Sequence, residues 1–340
     1  MLRHHQPSPR EDLHRLIDSW EESLDARDVL PYRTLLEEFF FHAELRYHDY
    51  LQFRGDGSLY GRLLDIMQQL GEVRLQKAFL EITAALTFID RSQMLSLHRD
   101  AFRRVIAPWI QSGSLSAAQM LSPGYDTRLL SVLKSFSLFS ITESFGFGDF
   151  LHVNDLSGVR RPRILGEDRS AVAPLIGRLS PKSKGIIVLE DFVGTGTQAT
   201  GVLLELVSNL PKSKRILFVP LIILEEGVQN LRTRLRAHGI TIRPVLVIPQ
   251  SACLQESPSK GEPNEYSRLR SLVKSTARRV MAPLDDLDDC PSCAFGYKGS
   301  GALVVTYYNT PNNTLPLIHH RAPNWIPLFR RVHHSKDGLG

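Results

Sequence analysis

Residues 185–201 read GIIVLEDFVGTGTQATG. Ile186–Leu189 is a short aliphatic run with the composition of a buried strand. Glu190 and Asp191 follow it directly, then Phe192–Thr197 as a connecting loop. A helix is expected from about Gln198, with Val202, Leu203, Leu206, Val207 and Leu210 on one side. Gly194 and Gly196 let the backbone approach a ligand closely and take φ > 0 where needed. Amides of Thr195, Gly196 and Thr197 can then converge with the helix N-terminus on a phosphate, with the threonine hydroxyls as further donors. Such a phosphate would repel Glu190 and Asp191. The two acids make sense facing ribose hydroxyls, or a Mg2+ ion shared with a pyrophosphate.

Two other readings compete. Gly194-x-Gly196-x-x-Ala199 formally satisfies a dinucleotide fingerprint, but there the first glycine should follow the strand at once, and Glu-Asp-Phe-Val intervenes. A plain strand-turn-helix also fits, although it needs neither two acids nor two glycines. A P-loop is excluded, because no Gly-Lys-Ser/Thr follows.

Four apolar residues, an acidic pair, two apolar residues and Gly-Thr-Gly resemble the phosphoribosyl-pyrophosphate (PRPP) loop of type I phosphoribosyltransferases. The resemblance implies that Glu190 and Asp191 hold the ribose hydroxyls and carry the catalytic role, while Gly194, Thr195, Gly196, Thr197 and Gln198 wrap the 5′-phosphate. Two positions depart from that family. Gly194 stands where many members have an acid or threonine, and Gln198 where a phosphate-binding threonine is usual. Both departures point towards binding over turnover.

Outward from this stretch, the chain alternates. Strands at Ile216–Val219 and Val245–Ile248 flank a helix around Glu225–Ala237, with a further helix at Arg268–Val280 and a late strand at Ala302–Tyr307. This order predicts an open, mainly parallel α/β sheet with ligands beyond the strands' carboxyl ends. From Glu11 to Lys134 the apolar residues recur at helical spacing, as in Leu13, Leu16, Ile17 and Trp20, predicting five to seven helices. The expected organisation is a helical cap or partner-binding region, 1–148, a phosphoribosyltransferase-like domain of type I topology, 149–331, and a flexible tail, 332–340. Gln250–Asn264 (QSACLQESPSKGEPN) is the candidate mobile loop.

Other motifs are read against plainer alternatives. VRRPRILGEDR (159–169) holds Arg160, Arg161, Arg163 and Arg169, which could grip a pyrophosphate or form a solvated turn. NTPNNTLP (309–316) offers Asn309, Asn312, Asn313 and Thr314 for a base or ribose, or a turn that satisfies its own backbone. Lys182 and Lys184 read as surface residues flanking the strand, and Trp325 and Phe329 as packing anchors. Cys290-Pro-Ser-Cys293 is one pair where zinc usually takes two, so an incidental CxxC is preferred, although His319, His320, His333 and His334 could complete a site.

Gly296-Tyr297, the strand at Ala302–Val305, NTPNNTLP and NWIPLFRR (324–331) together are similar to phosphoribosyltransferase-like proteins of bacterial conflict and defence systems. This resemblance implies a PRPP- or nucleotide-binding protein, with Mg2+ through Glu190 or Asp191, that transfers between PRPP and a nitrogenous base. Its alternative is a non-catalytic sensor or effector acting through a protein partner of the helical region.

Composition sets outer bounds. The 340 residues carry 41 Lys and Arg against 36 Asp and Glu, a net charge of +5, so nucleic acid is not expected as a direct ligand without a clustered basic stripe. No apolar run is long enough to span a bilayer, and the first residues, MLRHHQPSPRED, contain no apolar leader core. Three cysteines make no disulfide framework, and a cytoplasmic location is expected.

Overall fold

The computed structural model describes residues 8–22, 26–50, 57–156, 158–159, 162–166, 172–179, 182–281, 293–322 and 325–331. Eight strands occur among them: β1 (Thr87–Ile89), β2 (Phe136–Ser140), β3 (Arg163–Ile164), β4 (Gly185–Val193), β5 (Arg215–Leu224), β6 (Ile240–Ile242), β7 (Leu246–Ile248) and β8 (Val304–Thr306). The chain divides into two compact units, Ser92–Gln250 and the pairing of Met1–Arg91 with Ser251–Gly340.

The unit Ser92–Gln250 is built on a six-stranded sheet in the order β3-β2-β4-β5-β6, with β7 pairing the far end of β5. Every pairing is parallel. β4 and β5 are almost wholly buried, which explains their continuous aliphatic runs: a central parallel strand is covered on both faces. Pro220 interrupts the donor ladder of β5, and it sits where β6 pairing ends at Phe218 and β7 pairing begins at Ile222. Helices Thr197–Ser208 and Glu225–Leu235 cross between strands and bury Val202, Leu203, Leu206, Val228 and Leu231 against Ile186, Val188 and Phe218.

The other unit joins the two ends of the chain. Helices Pro9–Asp18, Ala26–Leu45, Leu59–Leu70, Val73–Ala84 and Glu265–Met281 surround a short parallel pair of β1 with β8. Its core is aromatic: Phe329 meets Tyr47 at 5.2 Å and Tyr50 at 5.4 Å, and Trp325 meets Phe79 at 6.2 Å. The Tyr50 hydroxyl donates to the Arg330 carbonyl at 2.6 Å. Trp325 and Phe329 are therefore packing anchors, buried to 3% and 0% exposure.

Three expectations change. Among the described strands, the late strand stands outside the main sheet: β8 pairs with β1 in a two-stranded sheet. The boundary expected at 148/149 falls inside a unit, within helix Phe147–Val153. The Gln250–Asn264 stretch is tied down: Leu254 is fully buried and donates its amide to Gly301, and Arg270 binds both the Gln255 carbonyl and Glu262 at 2.6 Å. Residues 332–340 lie outside the described residues, as does Cys290, and nothing is described of the Cys293 side chain.

Candidate functional site

β4 runs on to Val193, four residues beyond the expected end, so Glu190 and Asp191 are strand residues. The loop shrinks to Gly194–Gly196, and the helix begins at Thr197. Both acids are buried, at 4% and 5% exposure.

Glu190 has a specific set of neighbours. Its Oε2 accepts the amides of Ile141 and Thr142 at 3.0 and 3.1 Å, and its Oε1 accepts the Thr142 hydroxyl at 2.5 Å. Ile141 and Thr142 leave the carboxyl end of β2, the neighbour of β4, so Glu190 ties the two strand ends together. Burial pushes its carboxyl above the ordinary range and the Asp191 charge adds to that; the three donors pull the other way. Asp191 accepts the amide of Phe192 at 2.8 Å.

The loop beyond the acids is organised through its carbonyls. The Thr195 carbonyl accepts from the Asn230 side chain at 3.0 Å. The Gly196 carbonyl accepts from the Thr200 amide and hydroxyl, at 2.9 and 2.7 Å. The Gly194 carbonyl lies against Gly227, where an added Cβ would sit 2.2 Å from it. Gly196 has φ of 75°, a left-handed conformation that other residues rarely take, and no side chain caps the helix that it starts. The first amides of a helix have no intrahelical acceptor and carry the positive end of the dipole. Carbonyls on one side are thus engaged by protein, while an uncapped helix N-terminus opens on the other. Thr195 is buried with its hydroxyl 3.1 Å from that of Thr197; Thr197 and Gln198 are exposed.

Thr142, Ser144, Gly227 and Asn230 complete this constellation and were not found from the sequence. Thr142 and Ser144 share a hydrogen bond of 2.7 Å. Their signal was the Phe-Ser-Leu-Phe-Ser run of β2, at the end of a stretch read as helical. Gly227 and Asn230 lie in an ordinary amphipathic helix, where nothing marks them.

Arg160 and Arg161 lie outside the described residues, as does Arg169, and Arg163 is exposed on β3. Asn309, Asn312, Asn313 and Thr314 belong to the other compact unit. There Asn309 accepts the Thr310 amide at 2.9 Å, Asn313 donates to Ser300 at 3.0 Å, and Thr314 donates to the Val304 carbonyl at 2.5 Å. Asn312 is exposed, and its carbonyl accepts the Tyr297 amide at 2.9 Å. Asn309, Asn313 and Thr314 thus have hydrogen-bond partners within that unit. Among the described residues no three His, Cys, Asp or Glu side chains gather as a metal site.

A strand bearing paired acids, a left-handed glycine and an uncapped helix start at the carboxyl edge of a parallel sheet agree with the wider comparison. Residues 67–331 match the PRTase-CE family. The chain belongs to the PRTase-CE family. It is accordingly a phosphoribosyltransferase-like protein, and the PRTase-CE match runs across both compact units. No curated protein matches the chain. No helix among the described residues is long and apolar enough to cross a membrane.

Proposed function

We propose that the Glu190–Gln198 segment binds the ribose 5-phosphate part of PRPP or of a nucleotide. The observation that carries this reading is the one-sided loop, with its carbonyls held by Asn230, Thr200 and the Gly227 contact beside an uncapped helix start. The amides of Thr195–Gln198 and the Thr197 hydroxyl receive the phosphate. Asp191 receives the ribose hydroxyls. Glu190 acts mainly as a positioning residue, since the 141–142 turn occupies both of its oxygens.

In the transferase form of this proposal, pyrophosphate leaves C1′ and a nitrogenous base takes its place. Positioning and charge stabilisation supply most of the rate, so the missing acid at Gly194 does not forbid turnover. Mg2+ would come with the pyrophosphate, since the ion is usually bound through one or two carboxylates plus substrate phosphates. Asp191 is the carboxylate that the chain offers it. A role in bacterial conflict or defence belongs to the same proposal and rests on the sequence layout.

A ligand sensor is the second reading, favoured by Gly194 and by Gln198 at the exposed first turn of the helix. Its test needs the full chain, because residues 1–148 cut through both compact units. The site itself is tested by adding PRPP to 15N-labelled protein. Amide shifts concentrated at Thr195–Ala199 support it; unchanged amides there with shifts elsewhere would remove the phosphate from this loop.

A further inference from the structure

The six-stranded sheet has a second edge, where its strands begin. The tetrapeptide Pro-Lys-Ser-Lys occurs twice, at 181–184 and 211–214, immediately ahead of β4 and β5. The strand register pairs Gly185 with Arg215, which sets Lys184 beside Lys214. The Arg215 amide donates to the Lys184 carbonyl at 3.4 Å, and the Lys214 ammonium donates to the Ser183 carbonyl. On one flank the Lys184 amide donates to Ser135 at 2.8 Å, bringing in Lys134. On the other flank Ile216 pairs with Ile240, so Arg236 precedes the next strand.

Four neighbouring strands therefore start from basic segments. The connections 134–135, 178–184, 209–214 and 236–239 contain no Asp or Glu. Lys134, Arg178, Lys182, Lys184, Lys212 and Arg236 are all exposed. Among the described residues, ion pairs form elsewhere and leave Lys134, Arg178, Lys184, Lys212 and Arg236 uncompensated. Strands lie ~4.8 Å apart, so the row is about 15 Å wide. Among the described residues the large exposed apolar side chains are Leu30, Phe41, Leu45, Leu121, Ile164, Val247, Tyr297 and Ile326, and none falls in these connections. A membrane surface would ask for an inserted apolar face, and a protein partner for aromatic anchors. A bare row of flexible point charges suits a regular line of phosphates.

We propose that this amino-terminal edge of the sheet docks the phosphate backbone of nucleic acid, independently of sequence and of the ribose-phosphate loop. At one phosphate per ~3.4 Å of each strand, the row spans about four. The test is fluorescence anisotropy of a labelled 20-base-pair DNA duplex and a 20-nucleotide single strand, titrated with the full chain from 50 to 200 mM salt. Contact with about four phosphates gives a log K against log salt slope near −3.6 for the duplex. The double variant Lys184→Gln/Lys212→Gln should lower that slope by about two and weaken binding roughly tenfold or more at 50 mM salt. Arg99→Gln/Arg103→Gln, an equal charge change on exposed arginines, serves as the control and should have a much smaller effect. Failure of both probes to bind at 50 mM salt would overturn the proposal. So would equal losses in the two double variants, which would mark a diffuse attraction to net charge.

Discussion

The side-chain amide of Asn230 donates to the carbonyl of Thr195 at 3.0 Å, linking helix Glu225–Leu235 to the turn after β4. A helix in one crossover thus sets the conformation of the loop in another. Replacing Asn230 with Ala removes the donor from a partly buried carbonyl, at ~1–2 kcal/mol. PRPP affinity should fall about tenfold, measured by calorimetry. Unchanged affinity would show that the loop holds its shape without this bond.

Gly227 makes the same connection by backbone contact. A Cβ there would lie 2.2 Å from the Gly194 carbonyl oxygen and 3.1 Å from Ile223 Cγ1. Gly227→Ala must move the loop or the helix, and overpacking of this kind costs ~1–3 kcal/mol. Urea unfolding should show that loss, together with weakened ligand binding. A variant as stable as the parent would mean that the helix yields easily.

Glu190 should matter more to folding than a ligand contact alone would. Glu190→Ala leaves the Ile141 and Thr142 amides without their acceptor in a buried setting, at ~1–3 kcal/mol for each orphaned group. Glu190→Gln keeps one carbonyl oxygen for them and should lose clearly less. The comparison is made by urea midpoint at neutral pH. Equal losses in the two variants would contradict the positioning role.

His98 sets an acid limit on stability. The ring is buried to 2% exposure against Phe145, at 5.1 Å, and Phe150, at 6.0 Å. Burial pushes its pKa down to about 4 from 6.5, while the Asp149 charge opposes the change. The folded chain therefore keeps a neutral ring that the unfolded chain protonates first. Above pH 6.5 the contribution is complete, and it is lost as pH falls towards 4, by ~3 kcal/mol at ~1.4 kcal/mol per unit. Urea midpoints at pH 7 and 4.5 should separate less in His98→Phe than in the parent. Identical separations would place the acid sensitivity elsewhere.

Much of this arrangement could be read from residue order. β4, β5 and their helices announce themselves because central parallel strands are continuously apolar and the crossover helices carry one apolar stripe. β2 escaped because five residues, Phe-Ser-Leu-Phe-Ser, without a clean period-two pattern offer little against a helical neighbourhood. With β2 unread, Thr142 could not be placed beside Glu190, 48 residues away. The pairing of β1 with β8 is less accessible still, since each is three residues long and the paired residues Thr87 and Val304 stand more than 200 positions apart. For the same reason Asn313 and Thr314 looked available to a ligand when their partners are Ser300 and Val304. The basic edge was also invisible, because strand register alone brings its lysines together.

The most direct test is calorimetric titration of PRPP with Mg2+ into the full chain, beside Asp191→Asn. Saturable binding to the parent that the variant loses is the expected result, and it would justify screening bases for turnover. Equal binding by both proteins would contradict the placement of the ribose at Asp191. Absence of binding to the parent would contradict the ribose-phosphate site itself.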